Sequence, residues 1–333
     1  MERPVHIIAE AGTNHNGNFE TAKELVEVAA DAGADSVKFQ IIYPDNLYLP
    51  GNYKYGHYDI KKVIQMRRDF MLEDGDYAKL QEHALNRNII LSASVFCDQS
   101  TDLLASLNPP YIKIASTDLN NLRLIRYAAT KGIKLIISTG MSTLSQVERT
   151  VNELSKINFK DFILMHCVSA YPTKLADMNL NFIDTLKTAF GCDIGLSDHT
   201  QNSIAACLAL TKGIKYIEKH YTLDPKQEGF DHAYAADPDI FKRYVNDIRE
   251  AESALIFPDR KLKDDELYVK QRARRSLYAR KYLKKGHILR DEDILIVRPE
   301  GPLNSEDYDL IIGKKLVRDI DKNAPFTLDI MEN

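Results

Sequence analysis

Two histidines stand at the ends of two short apolar runs that a helix-length segment separates. The first run, Asp193 to His199, and the second, Lys215 to His220, read as a strand–helix–strand unit. Parallel neighbouring strands bring their carboxyl ends to one edge of a sheet, which is where α/β folds place their chemistry. Neutral imidazole is a common metal ligand, so the pair predicts a divalent-metal site. The alternative is that each histidine caps its strand through hydrogen bonds.

Two lysines interrupt apolar runs elsewhere, Lys38 between Val37 and Phe39 and Lys113 between Ile112 and Ile114. An unpaired ammonium is costly to bury, so each lysine must meet an anion. A salt bridge within the fold is one explanation. Together with the hydroxyls and amides of residues 138–140, Ser-Thr-Gly, the two lysines favour a site for phosphate or carboxylate. The acidic residues Glu10, Asp118 and Glu218 are expected nearby.

These side chains belong to a regular alternation of strands and helices. Eight strand–helix units fit into about 255 residues, and the strands are nearly continuous apolar runs, as expected when both faces of a sheet are covered. The predicted strands begin at His6, Asp35, Ile89, Tyr111, Lys134, Phe162, Asp193 and Lys215. The pattern predicts a (β/α)8 TIM barrel over residues 1–260. A doubly wound open sheet is the alternative, and the lack of a Gly-x-Gly-x-x-Gly turn disfavours it.

Two stretches depart from this rhythm. Residues 43–68 form a long, irregular, tyrosine-rich segment, interpreted as a substrate-facing lid or, alternatively, a surface excursion without function. After the barrel, residues 261–274 are charged and predicted to be a partly helical linker. Residues 275–333 show short strand-like pieces at 276–279, 294–297 and 315–317 and predict a small second domain, which is marginal alone and is expected to dock on the barrel or another subunit.

The bulk composition is that of a soluble globular protein, with 44% apolar residues and a formal net charge of −4 over 333 residues. This balance gives no indication of nucleic acid or of a membrane surface as a partner. No apolar run approaches the roughly 20 residues that cross a bilayer, and no signal peptide is recognised at the N-terminus. The four cysteines lack paired metal spacing, so we expect reduced thiols and a cytoplasmic protein.

The pattern of histidines, lysines and acidic residues on the predicted barrel leaves three activities open: an aldolase, an isomerase or a phosphoenolpyruvate-using synthase.

Seven blocks in chain order resemble the sialic acid (nonulosonic acid) synthase family, which includes the N-acetylneuraminate, legionaminate and pseudaminate synthases. The blocks are residues 8–17, 34–40, 111–119, 137–141, 166–172, 195–200 and 218–224. The segment from Arg275 onward, with residues 282–286 and 297–299, resembles the antifreeze-like SAF domain that ends these enzymes. The resemblance covers essentially the whole chain.

The resemblance implies a transferase that forms a carbon–carbon bond. Phosphoenolpyruvate would condense with an N-acylated hexosamine, either N-acetylmannosamine or a 2,4-diacetamido-2,4,6-trideoxyhexose, to give a nine-carbon 2-keto acid sugar and phosphate. A divalent cation, Mn²⁺ with Mg²⁺ or Co²⁺ as alternatives, would bind to His199 and His220. The family forms a domain-swapped homodimer. Rival interpretations are a related synthase acting on a sugar phosphate, for which Arg67 and Arg68 could serve, and a non-catalytic carbohydrate-binding protein.

The same resemblance assigns individual roles. Glu10 matches the acidic residue that handles a proton or the metal-bound water, and Glu10, Asp118 and His220 are the predicted catalytic residues. The predicted substrate-binding residues comprise phosphoenolpyruvate ligands and their neighbours (Lys38, Lys113, Ser116, Ser138, Ser169, Ser197) and amino-sugar ligands (Tyr171, Asp231, Arg298). Three departures from the family pattern, at Cys97, Asp118 and Phe230, lie mostly on the sugar side and leave the identity of the sugar open.

Overall fold

The computed structural model describes residues 4–55, 58–255 and 261–332. The chain divides into two compact units, residues 1–256 and 257–333. The predicted boundary at residue 260 lies outside the described residues.

The first unit is a closed barrel of eight parallel strands, so the predicted (β/α)8 architecture is confirmed. Around the barrel the order of strands is β1, β8, β7, β6, β5, β4, β3, β2. The strands are β1 (His6–Gly12), β2 (Ser36–Ile41), β3 (Ile90–Val95), β4 (Tyr111–Ile114), β5 (Lys134–Ser138), β6 (Phe162–Cys167), β7 (Ile194–Asp198) and β8 (Tyr216–His220).

Helices cover the outside of the barrel and bury the outward-facing side chains of the strands. They are α1 (Phe19–Asp31), α4 (Asp74–Asn86), α5 (Asp98–Ser106), α6 (Leu122–Ala129), α7 (Leu144–Lys156), α8 (Phe182–Phe190), α9 (Ile204–Leu210) and α10 (Pro238–Ser253), whereas α2 (Pro44–Leu47) and α3 (Ile60–Asp69) belong to the segment between β2 and α4. Their caps follow the sequence: the Asn18 side chain, for example, accepts a hydrogen bond from the Thr21 amide at the start of α1 (3.0 Å).

Inside the barrel, side chains alternate with the two-residue period of a strand. One layer is apolar and forms its own cluster of Ile8, Tyr111, Ile136 and Met165. The next inward positions, two residues further along the same strands, are Glu10, Lys113, Ser138 and Cys167. The sequence therefore places a polar layer at the carboxyl ends of the strands, above an apolar plug.

The segment between β2 and α4 is more regular than predicted. Helix α3 occupies residues that were expected to be irregular, and a short antiparallel hairpin, Lys54–Tyr55 with Tyr58–Asp59, precedes it; residues 56 and 57 of the predicted lid lie outside the description. The Asp59 side chain accepts a hydrogen bond from the Lys62 amide and caps α3, and Ile60 and Ile64 are buried. Because four Lys and Arg residues interrupt this helix, its apolar spacing is hard to recognise. Residues 44–69 are called the lid segment below.

The second unit packs a small apolar core of its own, which includes Leu277, Leu289, Ile294, Leu316 and Phe326. It contains α11 (Asp264–Ala273), within the predicted linker, the antiparallel strands β9 (Ser276–Ala279) and β10 (Ile294–Val297), and α12 (Tyr308–Ile311). The predicted strand at residues 315–317 is wrong, because Lys315 and Leu316 form only isolated bridges to Ile288 and Met331. Throughout the described ranges, no helix is both long enough and apolar enough to span a bilayer.

Candidate active site

A cavity of about 1020 Å³ opens at the carboxyl ends of the barrel strands. Its volume matches that of a typical small-molecule site. Eleven of the predicted site residues line it, namely Glu10, Lys38, Lys113, Ser116, Ser138, Ser169, Tyr171, Ser197, His199, His220 and Asp231. Residues that are scattered over more than 220 positions of sequence therefore share one compartment.

Two lysines and two glutamates form a buried cluster at the base of the cavity. The Lys38 ammonium lies 2.5 Å from Glu10 Oε2 and 3.5 Å from Glu218 Oε2, and Lys113 lies 3.9 Å from Glu218 Oε2. Strand register explains the geometry, since Glu10 is aligned with Lys38 on one side and with His220 on the other. The expected alternative of a salt bridge within the barrel is thus present for Lys38, in the same place as the predicted anion site.

The four charges polarise one another because water is excluded from them. Burial raises the pKa of Glu10 to about 7, against the opposing effect of Lys38. Burial also acts to raise the pKa of Glu218, but Lys113 and Lys38 outweigh it and lower that pKa to about 2. For Lys113, burial lowers the pKa despite the nearby Glu218 carboxylate. Glu218 therefore carries the fixed negative charge, whereas Glu10 is poised to exchange a proton near neutral pH.

Hydroxyl groups extend from this cluster along neighbouring strands. Lys113 donates to Ser138 Oγ (2.7 Å), the hydroxyls of Ser138 and Ser197 lie 3.1 Å apart, and Ser197 donates to Glu218 Oε1 (3.2 Å). Lys38 donates to Ser94 Oγ (2.8 Å). Ammonium and hydroxyl donors thus converge, as the binding of an anionic substrate requires.

Gly140 forms the wall of a cradle beside these donors. Its amide donates to Ser116 Oγ (3.1 Å). A Cβ atom at this position would lie 2.3 Å from Ser169 Oγ and 2.8 Å from Ser116 Oγ. Only glycine leaves room for both hydroxyls.

We therefore expect Gly140→Ala to weaken anion binding. Overpacking of about 1–3 kcal/mol, if it falls on the bound geometry, corresponds to a loss of affinity for an anionic substrate of about 5- to 150-fold, measurable by titration calorimetry. Gly75→Ala is the matched control, since its Cβ would meet no atom within 4 Å and it lies in α4. Equal affinities of the two variants would show that the cradle does not contact the anion.

The two histidines lie above the charge cluster and face each other, with ring centroids 5.5 Å apart. His199 Nδ1 lies 2.9 Å from the Val168 carbonyl oxygen, which can only accept, so Nδ1 carries the proton and Nε2 keeps its lone pair. His220 Nδ1 is buried and finds no hydrogen-bond partner among the residues that the structure describes. Burial lowers the pKa of His220, which favours the neutral form that binds metals.

This donor set fits a divalent cation that retains much of its coordination sphere. Among the residues that the structure describes, no group of three or more His, Cys, Asp or Glu side chains is placed to hold a metal ion. The protein would thus supply two imidazoles, and oxygen atoms of substrate and water would complete the shell, as in catalytic sites with open positions. The orphaned Nδ1 atom of His220 is the observation that favours such a ligand.

Aromatic and acidic side chains enclose the histidines on one side. The Tyr171 ring lies 4.3 Å from His199 and 4.7 Å from Tyr234, centroid to centroid. Tyr234 donates to Asp231 Oδ1, while Asp231 Oδ2 is buried and has no hydrogen-bond partner in the described part of the chain. These groups provide a stacking surface and an acceptor for a polyhydroxylated ligand.

Two predicted site residues lie elsewhere. Asp118 is outside the cavity lining, in a 3-10 turn, where its carboxylate accepts hydrogen bonds from Thr117 Oγ1 (2.9 Å) and Asn121 Nδ2 (3.0 Å). This geometry gives Asp118 a role in shaping the turn after β4 and does not support the predicted catalytic role. Arg298 is exposed in the second unit, directly after β10.

Several residues that line the cavity received no role from the sequence, among them Cys167 and Tyr234. The two-residue period of β6 could have found Cys167, which follows the inward-facing Met165 and accepts a hydrogen bond from Ser116 (3.4 Å). Tyr234 ends a 3-10 turn (His232–Tyr234) in the loop after β8, and a single turn is too short for a periodic pattern to show which way its side chains point.

The NeuB family model matches residues 25–258, and the SAF domain model matches residues 274–329. The chain is 36% identical to the pseudaminic acid synthase of Campylobacter jejuni over 96% of this chain and 94% of that protein. It is 35% identical to the N,N'-diacetyllegionaminic acid synthase of Legionella pneumophila, over 93% and 90% of the two chains. The crystal structure of an N-acetylneuraminic acid synthetase from Leptospira borgpetersenii, solved with citrate, is similar with a TM-score of 0.70 and 32% identity, covering 80% of this chain and 90% of that one.

Proposed function

The chain belongs to the NeuB family, and on this premise we propose that it is a nonulosonic acid synthase. It condenses phosphoenolpyruvate with an N-acylated hexosamine to give a sialic-acid-type nine-carbon 2-keto acid and phosphate. The observation that carries the proposal is the buried pair Lys38 and Lys113, which converges with serine hydroxyls in the cavity that His199 and His220 also line.

Phosphoenolpyruvate carries a carboxylate and a phosphate, and each needs donors that a water-filled groove does not offer. Lys38, Lys113 and the hydroxyls of Ser138 and Ser197 bind its negative charges at the base of the cavity. Ser116 and Ser169 complete the cradle beside Gly140. Binding there fixes C3 of phosphoenolpyruvate toward the wider part of the cavity, where the acceptor aldehyde enters.

His199 and His220 hold a divalent cation in this proposal, with Mn²⁺ as the first choice and Mg²⁺ or Co²⁺ as alternatives. When bound, the ion supplies a Lewis acid for the acceptor's carbonyl oxygen. The imidazoles suit this task because both stand at the ends of adjacent, rigid strands.

The reaction forms one carbon–carbon bond and releases one phosphate. C3 of phosphoenolpyruvate attacks the aldehyde carbon, and the aldehyde oxygen takes up a proton to become a hydroxyl. Water adds at C2, the bond between C2 and the phosphate oxygen breaks, and loss of the second proton of the water leaves the ketone and hydrogen phosphate. Glu10 accepts the proton of the attacking water. Its pKa of about 7 matches this role, and Lys38 and Gln40, whose amide donates to Glu10 Oε1 (2.8 Å), hold the carboxyl group in place.

On the acceptor side, Tyr171 and Asp231 bind the amino sugar. Asp231 Oδ2, buried and unpartnered, is free to accept a sugar hydroxyl. By resemblance to the family, Arg298 reaches the sugar's acyl group from the terminal domain of a second subunit in a domain-swapped homodimer. We also propose a cytoplasmic location, where phosphoenolpyruvate is present.

The test is phosphate release from phosphoenolpyruvate with Mn²⁺, with either N-acetylmannosamine or 2,4-diacetamido-2,4,6-trideoxyhexoses as acceptor. We expect release that depends on an acceptor. Release with N-acetylmannosamine alone defines a sialic acid synthase, and release with a trideoxy sugar alone defines a legionaminate- or pseudaminate-type enzyme. No release with any acceptor would overturn the proposal.

A further inference from the structure

The lid segment contributes one wall of the cavity through a single face of helix α3. Ile60, Val63 and Arg67 all line the cavity and are spaced at i, i+3 and i+7, so they share one side of the helix. Leu47, Tyr48 and Tyr53 line the same wall. Among the described side chains of this wall, Arg67 is the cation, and the remainder are apolar or aromatic.

Contacts with two other loops fix the position of the Arg67 guanidinium. Its central carbon lies 3.4 Å from the ring centroid of Phe230, in a stacked cation–π contact. Its Nη1 donates to Thr13 Oγ1 (3.0 Å), in the loop after β1. The group is therefore oriented in advance, with little rotamer freedom left to lose when a ligand binds.

One donor of this guanidinium is left over. Arg67 Nε is buried and has no hydrogen-bond partner among the described residues. A buried N–H without an acceptor is unfavourable, and in a ligand cavity it indicates a missing acceptor atom. Because Arg67 lines the cavity, a molecule that occupies the cavity is the candidate source of that acceptor.

The surroundings select the chemistry of that acceptor. A sugar phosphate would bring a dianion to an apolar wall that has one arginine, and one face of that guanidinium is already covered by the Phe230 ring. The neighbouring Arg68 does not assist, because its Nη2 pairs with Asp45 Oδ1 at 2.5 Å on the exposed side of the lid segment. A neutral carbonyl oxygen next to a methyl group suits these surroundings, because the oxygen can accept from Arg67 Nε and the methyl group can contact the apolar side chains of the wall.

We propose that Arg67 is a specificity-determining residue that donates a hydrogen bond to the amide carbonyl of an N-acyl group on the acceptor sugar. A carbonyl oxygen has two lone pairs, so the same group can also accept from Arg298. This inference rests on the proposed synthase function and deepens it. Phe230 supports the guanidinium from below, and Ile60 and Val63 contact the acyl methyl group. The enzyme therefore favours N-acylated, unphosphorylated acceptors.

The test compares Arg67→Met with Arg68→Met as a matched control one residue away. We expect Arg67→Met to raise the KM for the acceptor at least tenfold, with the KM for phosphoenolpyruvate within about twofold of wild type, because one lost hydrogen bond to a charged donor has this size. Arg68→Met should match wild type in both constants. Phe230→Leu, which removes only the stacking surface, should give a smaller rise in the same constant.

Acceptor analogues identify the group that Arg67 contacts. When the N-acyl group in question is replaced by a hydroxyl, wild type should lose at least tenfold in kcat/KM while Arg67→Met loses no more than twofold. Testing the 2- and 4-positions separately shows which acyl group is bound. Two results would overturn this inference while the synthase function stands, provided that wild type shows acceptor-dependent phosphate release. One is an unchanged acceptor KM in Arg67→Met. The other is an equal loss of kcat/KM for every acceptor analogue in Arg67→Met. If wild type accepts no sugar, both are overturned.

Discussion

Lys113→Met is expected to lower kcat/KM for phosphoenolpyruvate by about 10³-fold, the loss typical of removing one preorganised charged donor. The Lys113 ammonium is buried, donates to Ser138 and lies near Glu218, so no solvent cation can replace it. Methionine keeps the length of the side chain but removes the charge. Steady-state phosphate release at varied phosphoenolpyruvate and saturating acceptor measures the effect.

The same substitution has a cost in stability that must be separated from the catalytic loss. Glu218 loses its largest compensating charge, which raises its pKa and leaves a buried carboxylate short of a partner. Thermal unfolding followed by circular dichroism reports whether the variant is folded at the assay temperature. Lys134→Met is the matched control, because Lys134 pairs with Asp161 at the partly exposed start of β5. A wild-type KM for phosphoenolpyruvate in folded Lys113→Met would remove Lys113 from the anion site.

His220→Gln is expected to abolish activation by Mn²⁺, with a loss of about 10³-fold in turnover. A Lewis acid contributes several kcal/mol of charge stabilisation in the transition state. In this proposal the two imidazoles are the ligands that the protein supplies to the ion, so the loss of one should release it. Glutamine remains polar, so the buried site should still fold. The first measurement is phosphate release with and without Mn²⁺ after chelation.

A second readout for His220→Gln does not depend on turnover. An ion present at 100 times its Kd stabilises the folded wild-type protein by about 2.7 kcal/mol, so Mn²⁺ should raise its Tm by several degrees. The variant should show no such rise, whereas His83→Gln, on the surface helix α4, should behave like wild type. An undiminished Mn²⁺-dependent rise in Tm for His220→Gln would place the ion elsewhere.

The polar ends of the strands were predictable because two periodicities, one of strands and one of helices, suffice to place them. Lys38, Lys113 and His220 each sit within or directly after an apolar run, and a closed parallel barrel brings all such positions to one end. The pairing of Lys38 with Glu10 follows from register, which depends on which strands are neighbours. A closed barrel must pair its first strand with its last, so the prediction of a barrel also predicts that β1 and β8 are neighbours.

Other parts of the site depend on contacts that no local pattern encodes. Asp118 lies four residues after β4, so the inward and outward alternation of that strand does not predict the direction of its side chain. A 3-10 turn directs its carboxylate to neighbouring residues in the chain. Arg67 and Phe230 meet although they are far apart in the chain, and each lies in a segment that varies in length and shape more freely than a barrel strand. The acceptor side is therefore where sequence reasoning was weakest.

The most direct test of the central claim follows the new carbon–carbon bond. Wild-type protein with Mn²⁺, [3-¹³C]phosphoenolpyruvate and an N-acylated hexosamine is expected to give one phosphate per molecule of a nine-carbon 2-keto acid. In that product the labelled carbon is a methylene group bonded to the former aldehyde carbon, as ¹³C NMR would show. Phosphate release that instead yields [3-¹³C]pyruvate and unchanged sugar would contradict the account, because it would mean hydrolysis without condensation.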